Sequence, residues 1–342
     1  MRYIGGKSLL LEEIDNVVNK MIGWENVKSC IDIFSGSGIV SSFFKEKGCN
    51  VLSNDFLTFS FVISRGTTGI NKEPSFCELG FDPLEYLNNI DIENTNFSTD
   101  ELFMYNNYSP HDDCERMYFQ NNNAKKIDII RLQIEKWYKS QKINEDEYFY
   151  LLASLLLALP YVANITGVYA AYLKFWDKRT YNDIHLSPPT LLLNHANCTC
   201  TNLDYKELLE CEKDLLYADP PYNAREYLPN YHIMETVAKY DYPAIHGKTG
   251  MRDYKDQKSP FCKKKLVTGA FESLIRDTNC KHILISYNNE GLIDTETLSE
   301  ICQDYAKDDS FRLFEFPYRR YKNKIPNNTA GLKEQLYYLR KK

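Results

Sequence analysis

Three short apolar runs, Cys30-Ile31-Asp32-Ile33-Phe34, Val51-Leu52-Ser53-Asn54-Asp55 and Leu215-Leu216-Tyr217-Ala218-Asp219, each carry an aspartate at or near their end. Apolar residues on consecutive positions over so short a length suit strands buried on both faces, as in a parallel sheet sandwiched by helices. Residues 39–48 separate the first two runs. They hold a short helix with Val40, Phe43 and Phe44 on one side and Gly48 as its stop, so the unit reads β-loop-α-β. Further strands are expected at 282–286, 311–316 and 335–340. This is the layout of a doubly wound α/β sheet, whose ligand crevice lies at the carboxyl ends of its strands.

The stretch from Asp55 to Asp219 is far too long for one crossover, so an insertion is expected in a chain of 342 residues. Within it Ile127, Ile130, Ile134 and Trp137 fall at helical spacing, and 148–159 is a second helix that should end near Pro160. The Asn/Asp-rich stretches 88–96 and 106–113 read as surface loops.

Composition narrows the function classes. With 43% apolar and 26% charged residues the chain is neither disordered nor of low complexity. Its longest apolar run, 151–163, is broken by Ser154 and Pro160 and falls short of the roughly 20 residues a membrane span needs. No membrane contact is expected, and without a secretory signal at the start the protein reads as cytoplasmic. The 10 cysteines are scattered, with Cys198 and Cys200 as the close pair. Together with 6 histidines and no C-x-x-C spacing, they point to reduced thiols and no metal site. The net charge of -6 hides a skewed distribution. Residues 312–342 hold nine basic residues against Glu315 and Glu334. A second basic stretch, from Lys248 and Arg252 to Lys263-Lys264-Lys265, is interleaved with Tyr254 and Phe261. That composition suits a nucleic-acid groove or a solvated loop.

Two segments carry chemistry. Asp32-Ile33-Phe34-Ser35-Gly36-Ser37-Gly38 places two glycines between a strand and a helix, where absent side chains let a nucleoside-type cofactor approach the backbone. Asp55, at the end of the next strand, stands where α/β nucleotide binders hold ribose hydroxyls. Asp219-Pro220-Pro221-Tyr222 follows a later strand. Two prolines stiffen it and remove two N–H donors, leaving carbonyl acceptors beside a carboxylate and an aromatic face. Such a slot suits a planar group bearing an exocyclic amine.

On these residues, the segment from Asp32 to Gly38 and the Asp219 tetrad resemble motifs I and IV of the S-adenosylmethionine-dependent amino-methyltransferases. Tyr3-Ile4-Gly5-Gly6-Lys7 resembles the N-terminal motif of the Dam-like, alpha-group adenine DNA methyltransferases. Glycine loop first, long insertion, then the tetrad is the alpha order. The stretch from Asn223 to Glu235 is similar to a subset related to type IIS modification enzymes. The resemblance implies a Rossmann-like, doubly wound α/β fold, with a catalytic domain at 1–64 and 197–342 and a mainly helical target-recognition domain inserted at 65–196.

It further implies S-adenosylmethionine bound by Tyr3, Gly5, Lys7, Asp32, Phe34 and Gly36, with Asp55 on the ribose, Asp204 at the cofactor's adenine, and Asp219 beside the donor; facing DNA is the alternative place for Lys7. The implied activity is N6-methylation of a flipped adenine in double-stranded DNA, in a prokaryote or phage. Asp219 and the Pro220 carbonyl would accept hydrogen bonds from the amine, and Tyr222 would stack on the base. The implied partner is a companion restriction endonuclease or a second methyltransferase. Carbon-5 cytosine methylation needs a cysteine after proline, and no Pro-Cys pair occurs. RNA or protein as substrate, or a non-catalytic DNA-binding subunit, are the alternatives. His232 and Glu235, at i, i+3 spacing, are expected to brace the tetrad loop, and Asp177-Lys178-Arg179 either to contact phosphate or base or to form surface salt bridges.

Overall fold

The computed structural model describes residues 5–317 and 331–342. They divide into two compact units. One comprises residues 5–56, 194–226, 257–317 and 331–342, and the other residues 57–193 and 227–256.

The first unit is built on a seven-stranded sheet. Its strands are β1 (Ser29–Asp32), β2 (Asn50–Asn54), β3 (Cys198–Thr201), β4 (Leu215–Ala218), β5 (His282–Asn288), β6 (Arg312–Pro317) and β7 (Lys333–Arg340), in the spatial order β3-β2-β1-β4-β5-β7-β6. The pairs from β3 to β5 are all parallel, whereas β7 runs antiparallel to both β5 and β6. The expected strands are present, and β3 is additional. Its sequence, Cys198-Thr-Cys-Thr201, lacks the Val/Ile/Leu signal because only one of its long edges is paired, to β2.

Side chains alternate between the two faces, as the period of two requires. On β4, Leu216 and Ala218 join Ile31, Ile283 and Ile285 beneath the helices Val267–Asp277 and Thr295–Tyr305. Leu215 and Tyr217 turn the other way, joining Cys30, Val51 and Leu284 beneath Leu11–Met21 and Ile39–Glu46. Each fully buried Leu or Ile contributes roughly 1.5–3 kcal/mol. The strand order reverses between β1 and β4, so the crevice at this switch point opens beside Asp32 and Asp219.

The second unit is helical. Its helices include Thr58–Gly66, Asn121–Lys139, Glu145–Ala158 and Leu228–Lys239 around Phe59, Ile127, Ile130, Ile134, Leu152 and Tyr231. The two helices expected here form, and the second gives way to a 3-10 turn at Leu159–Tyr161, across Pro160. The expected loop at 106–113 is partly a helix, Phe103–Tyr108. Its reason is tertiary: the buried Asp128 carboxylate accepts the N–H groups of Met104 and Tyr105, both at 2.8 Å, capping the helix from outside.

His232 and Glu235, expected to brace the tetrad loop, make hydrogen bonds within the helical unit. Glu235, fully buried, accepts the N–H groups of Thr58 (3.2 Å) and Phe59 (3.0 Å), capping another helix of the same unit. His232 bonds to the Tyr169 carbonyl at 2.8 Å, and burial lowers its pKa to about 4, so the ring is neutral. Arg252, read from the sequence as part of a nucleic-acid groove or a solvated loop, is buried and ion-paired with Asp241 at 2.6 Å. Among the described residues no helix is long and apolar enough to cross a membrane.

Candidate active site

The parallel pairing of β1 with β4 sets Asp32 opposite Tyr217, two residues before Asp219, and brings the glycine loop and the tetrad to one edge of the sheet. Each side of this junction is held by backbone hydrogen bonds. The Ile33 N–H donates to the Tyr217 carbonyl (3.1 Å) and the Ser35 N–H to that of Asn54 (2.8 Å).

The glycine loop turns through two left-handed residues, Gly36 (φ 51°) and Gly38 (φ 75°), a conformation that costs a Cβ-bearing residue about 1 kcal/mol. Asp55 fixes it, since its Oδ2 accepts the Gly36 N–H at 2.7 Å. Asn54, to which sequence reasoning gave no role, clamps three strand ends. Its amide donates to the carbonyls of Ile33 (3.2 Å) and Leu203 (3.1 Å), and its Oδ1 accepts from the Thr201 hydroxyl (2.9 Å) and the Leu203 N–H (3.0 Å). Asn202 adds a bond to the Asp55 carbonyl at 2.7 Å.

Asp32 is 1% exposed. Its Oδ2 accepts from the Ser41 hydroxyl at 2.7 Å, whereas Oδ1 and the Ser35 hydroxyl have no hydrogen-bond partner among the described residues. Burial, with the Asp219 and Asp55 carboxylates adding repulsion, raises the Asp32 pKa to about 7. Unmet acceptor capacity in a buried carboxylate, beside a glycine turn, fits a cationic ligand with hydrogen-bond donors. The amino acid end of S-adenosylmethionine has both properties.

Phe34 lies half-buried with its ring 5.5 Å from that of Tyr205 and 5.3 Å from that of Phe261. Asp204 is half-exposed and caps a short 3-10 turn, accepting the Lys206 N–H at 3.0 Å. Gly5 adopts φ 75°, and Tyr3 lies outside the described residues, as do Arg319, Arg320, Lys322 and Lys324 of the cationic tail.

The tetrad leaves β4 at Ala218. The Tyr222 carbonyl accepts the Leu292 N–H (3.0 Å), and the Tyr287 hydroxyl accepts the same N–H at 3.0 Å, tying the turn to the segment after β5. Gly291 has to be glycine there, because a Cβ would fall 2.1 Å from the Tyr287 ring. The Lys7 ammonium, with the residue 5% exposed, stands 3.0 Å from Asp219 Oδ1 and 6.0 Å from the centre of the Tyr222 ring. It is also 4.0 Å from Glu334 Oε2 on β7, a residue the sequence did not single out. Burial works against the Lys7 charge, but Asp219 and Glu334 outweigh it and leave its pKa raised. Burial likewise raises Asp219 and Glu334, with Lys7 opposing the shift in both.

A family model described as D12 class N6 adenine-specific DNA methyltransferase matches residues 3–301. The chain is 43% identical over 350 residues to the type II methyltransferase M.FokI of Planomicrobium okeanokoites, covering 100% of this chain and 53% of that protein. It is 40% identical over 348 residues to the modification methylase StsI of Streptococcus sanguinis, covering 100% and 52%. It therefore spans about half the length of these two relatives. With the type II methyltransferase M.NlaIII of Neisseria lactamica it shares 35% identity over 342 residues, covering 99% and 98%.

Proposed function

This chain belongs to the D12 class of N6 adenine-specific DNA methyltransferases, and from that premise we propose that it methylates N6 of adenine at a specific site in double-stranded DNA, as the cytoplasmic modification enzyme of a restriction or defence system. The observation that carries this reading is the β1–β4 pairing, which puts an under-satisfied buried carboxylate, Asp32, and the acceptor-rich tetrad on one edge of the sheet.

Bound S-adenosylmethionine supplies an electrophilic methyl group on a sulfonium. Asp32, the Gly36 turn, Phe34 and Gly5 hold it, with Asp55 at the ribose and Asp204 near its adenine. A duplex hides the target amine, so the adenine is swung out at a cost of a few kcal/mol, and Tyr222 receives its ring. Asp219 and the Pro220 carbonyl accept hydrogen bonds from the two N–H groups of the amine. This turns the nitrogen lone pair out of ring conjugation and aims it, an alignment effect by acceptors already fixed in place. The helical unit serves as the target-recognition region. Its exposed Tyr161, Phe175 and Tyr181, with Lys174 and Lys178 between them, suit bases and phosphates. Asn164 stiffens that segment through bonds to the Met117 and Leu173 carbonyls and the Asp177 N–H. A companion endonuclease or second methyltransferase completes the system.

The reading is tested by offering labelled S-adenosylmethionine with duplex DNA, RNA and protein pools in parallel. Label entering adenine of duplex DNA alone is expected. Label confined to RNA or protein contradicts it.

The Asp32 pKa of about 7 sets a pH dependence with a defined sign. Below pH 7 the empty site carries the proton, and a bound cation favours the carboxylate, so binding must release that proton. Cofactor affinity is expected to rise by up to about tenfold per pH unit below 7 and to level off above it. Calorimetry in buffers of different ionisation enthalpy measures the proton. In Asp32→Asn affinity is weak and flat with pH.

A further inference from the structure

Lys7 stands where the proposed substrate has to go. Its ammonium engages Asp219 Oδ1 at 3.0 Å and lies over the Tyr222 ring, the two surfaces assigned to the amine and to the base. An incoming amine therefore competes with a full positive charge for the same carboxylate.

The neighbouring strand offers an exit. Glu334 lies opposite Asn288 in the β5–β7 ladder, so its backbone is fixed. Its Oε2 is buried, has no hydrogen-bond partner among the described residues, and stands 4.0 Å from the ammonium. A displacement of about 1 Å brings that pair to hydrogen-bond distance. The ammonium then exchanges one carboxylate partner for the other and is never left without one.

On the reading of the site given above, we propose that Glu334 is a positioning residue that takes the Lys7 ammonium from Asp219 as the adenine enters. Lys7 is then a gate: it holds the Asp219 carboxylate ionised and oriented in the empty slot and yields its place to the substrate. The substrate amine meets a carboxylate just freed of its counter-ion, while the ammonium stays close enough to keep the carboxylate charged. Glu334 touches neither substrate nor cofactor and acts through Lys7.

The test uses Glu334→Gln, Lys7→Met and the double variant in the full chain, with the wild-type rate on duplex DNA measured alongside. An inactive wild type would defeat the methyltransferase reading itself. With an active wild type, Glu334→Gln is expected to lower the single-turnover rate at saturating substrates by at least about tenfold, because an amide does not draw the ammonium away from Asp219. Cofactor Kd and Tm are expected to stay within about twofold and a few degrees of wild type. Without an ammonium to move, Glu334→Gln added to Lys7→Met is expected to cost nothing more. Additive losses, a rate within about twofold of wild type, or a loss tracking weaker cofactor binding or a lower Tm would each overturn the proposal.

Discussion

Replacing Asp219 with alanine is expected to reduce DNA methylation by about 10²–10³-fold or more at saturating cofactor, the usual consequence of deleting a preorganised acceptor or donor at the reacting atom. Two effects act together. The amine loses the charged acceptor that holds its hydrogens, and Lys7, buried with Asp219 as its nearest partner at 3.0 Å, keeps Glu334 alone at 4.0 Å. The pairing of a buried charge is weakened without being abolished, so alanine lowers Tm as well as rate. Asp219→Asn separates the two. It preserves shape and one carbonyl acceptor, so the protein stays folded, and its rate is expected to fall between wild type and alanine. Single-turnover methylation at a temperature where thermal melts show both variants folded checks this. An alanine variant within tenfold of wild type is the contrary result.

Asp55→Ala is expected to have the next largest effect, on cofactor affinity. The carboxylate accepts the buried Gly36 N–H at 2.7 Å. Losing a hydrogen bond to a charged group costs roughly 1.5–3 kcal/mol. If Asp55 also holds the ribose, Kd rises by about 10²-fold or more, and the rate recovers at high cofactor concentration because the tetrad is intact. Asp55→Asn keeps an oxygen for Gly36 and restores part of the affinity. Calorimetric titration of the three proteins gives the ranking wild type, Asn, Ala. An alanine variant that binds as tightly as wild type removes Asp55 from the site.

The parts of this site that are local in sequence were legible in it. Strands β1, β2 and β4 show because burial on both faces forces consecutive apolar residues. The glycine turn and the tetrad show because each performs its chemistry within a few positions. What depends on partners far along the chain did not show. The helix Phe103–Tyr108 looks like an Asn-rich loop until Asp128 caps it. Glu235 sits beside the tetrad in sequence, yet its carboxylate serves the helix starting at Thr58. Asn54 reads as a polar strand end, and its clamp needs both β1 and the segment after β3. Glu334 lies in a basic tail, with nothing in the neighbouring sequence to mark it as part of the site. Only the antiparallel register with Asn288 sets it beside Lys7. The same strand-end geometry places the Lys7 ammonium 3.0 Å from Asp219 Oδ1.

The central claim is that the tetrad grips the amine of an unstacked adenine. Its most direct measurement is the structure of the protein with a duplex carrying its mapped target site and a non-reactive S-adenosylmethionine analogue. The target N6 is expected about 3 Å from both an Asp219 carboxylate oxygen and the Pro220 carbonyl, with the ring against Tyr222. A target adenine still stacked in the duplex, with the cofactor analogue bound and the Lys7 ammonium undisturbed on Asp219, would contradict it.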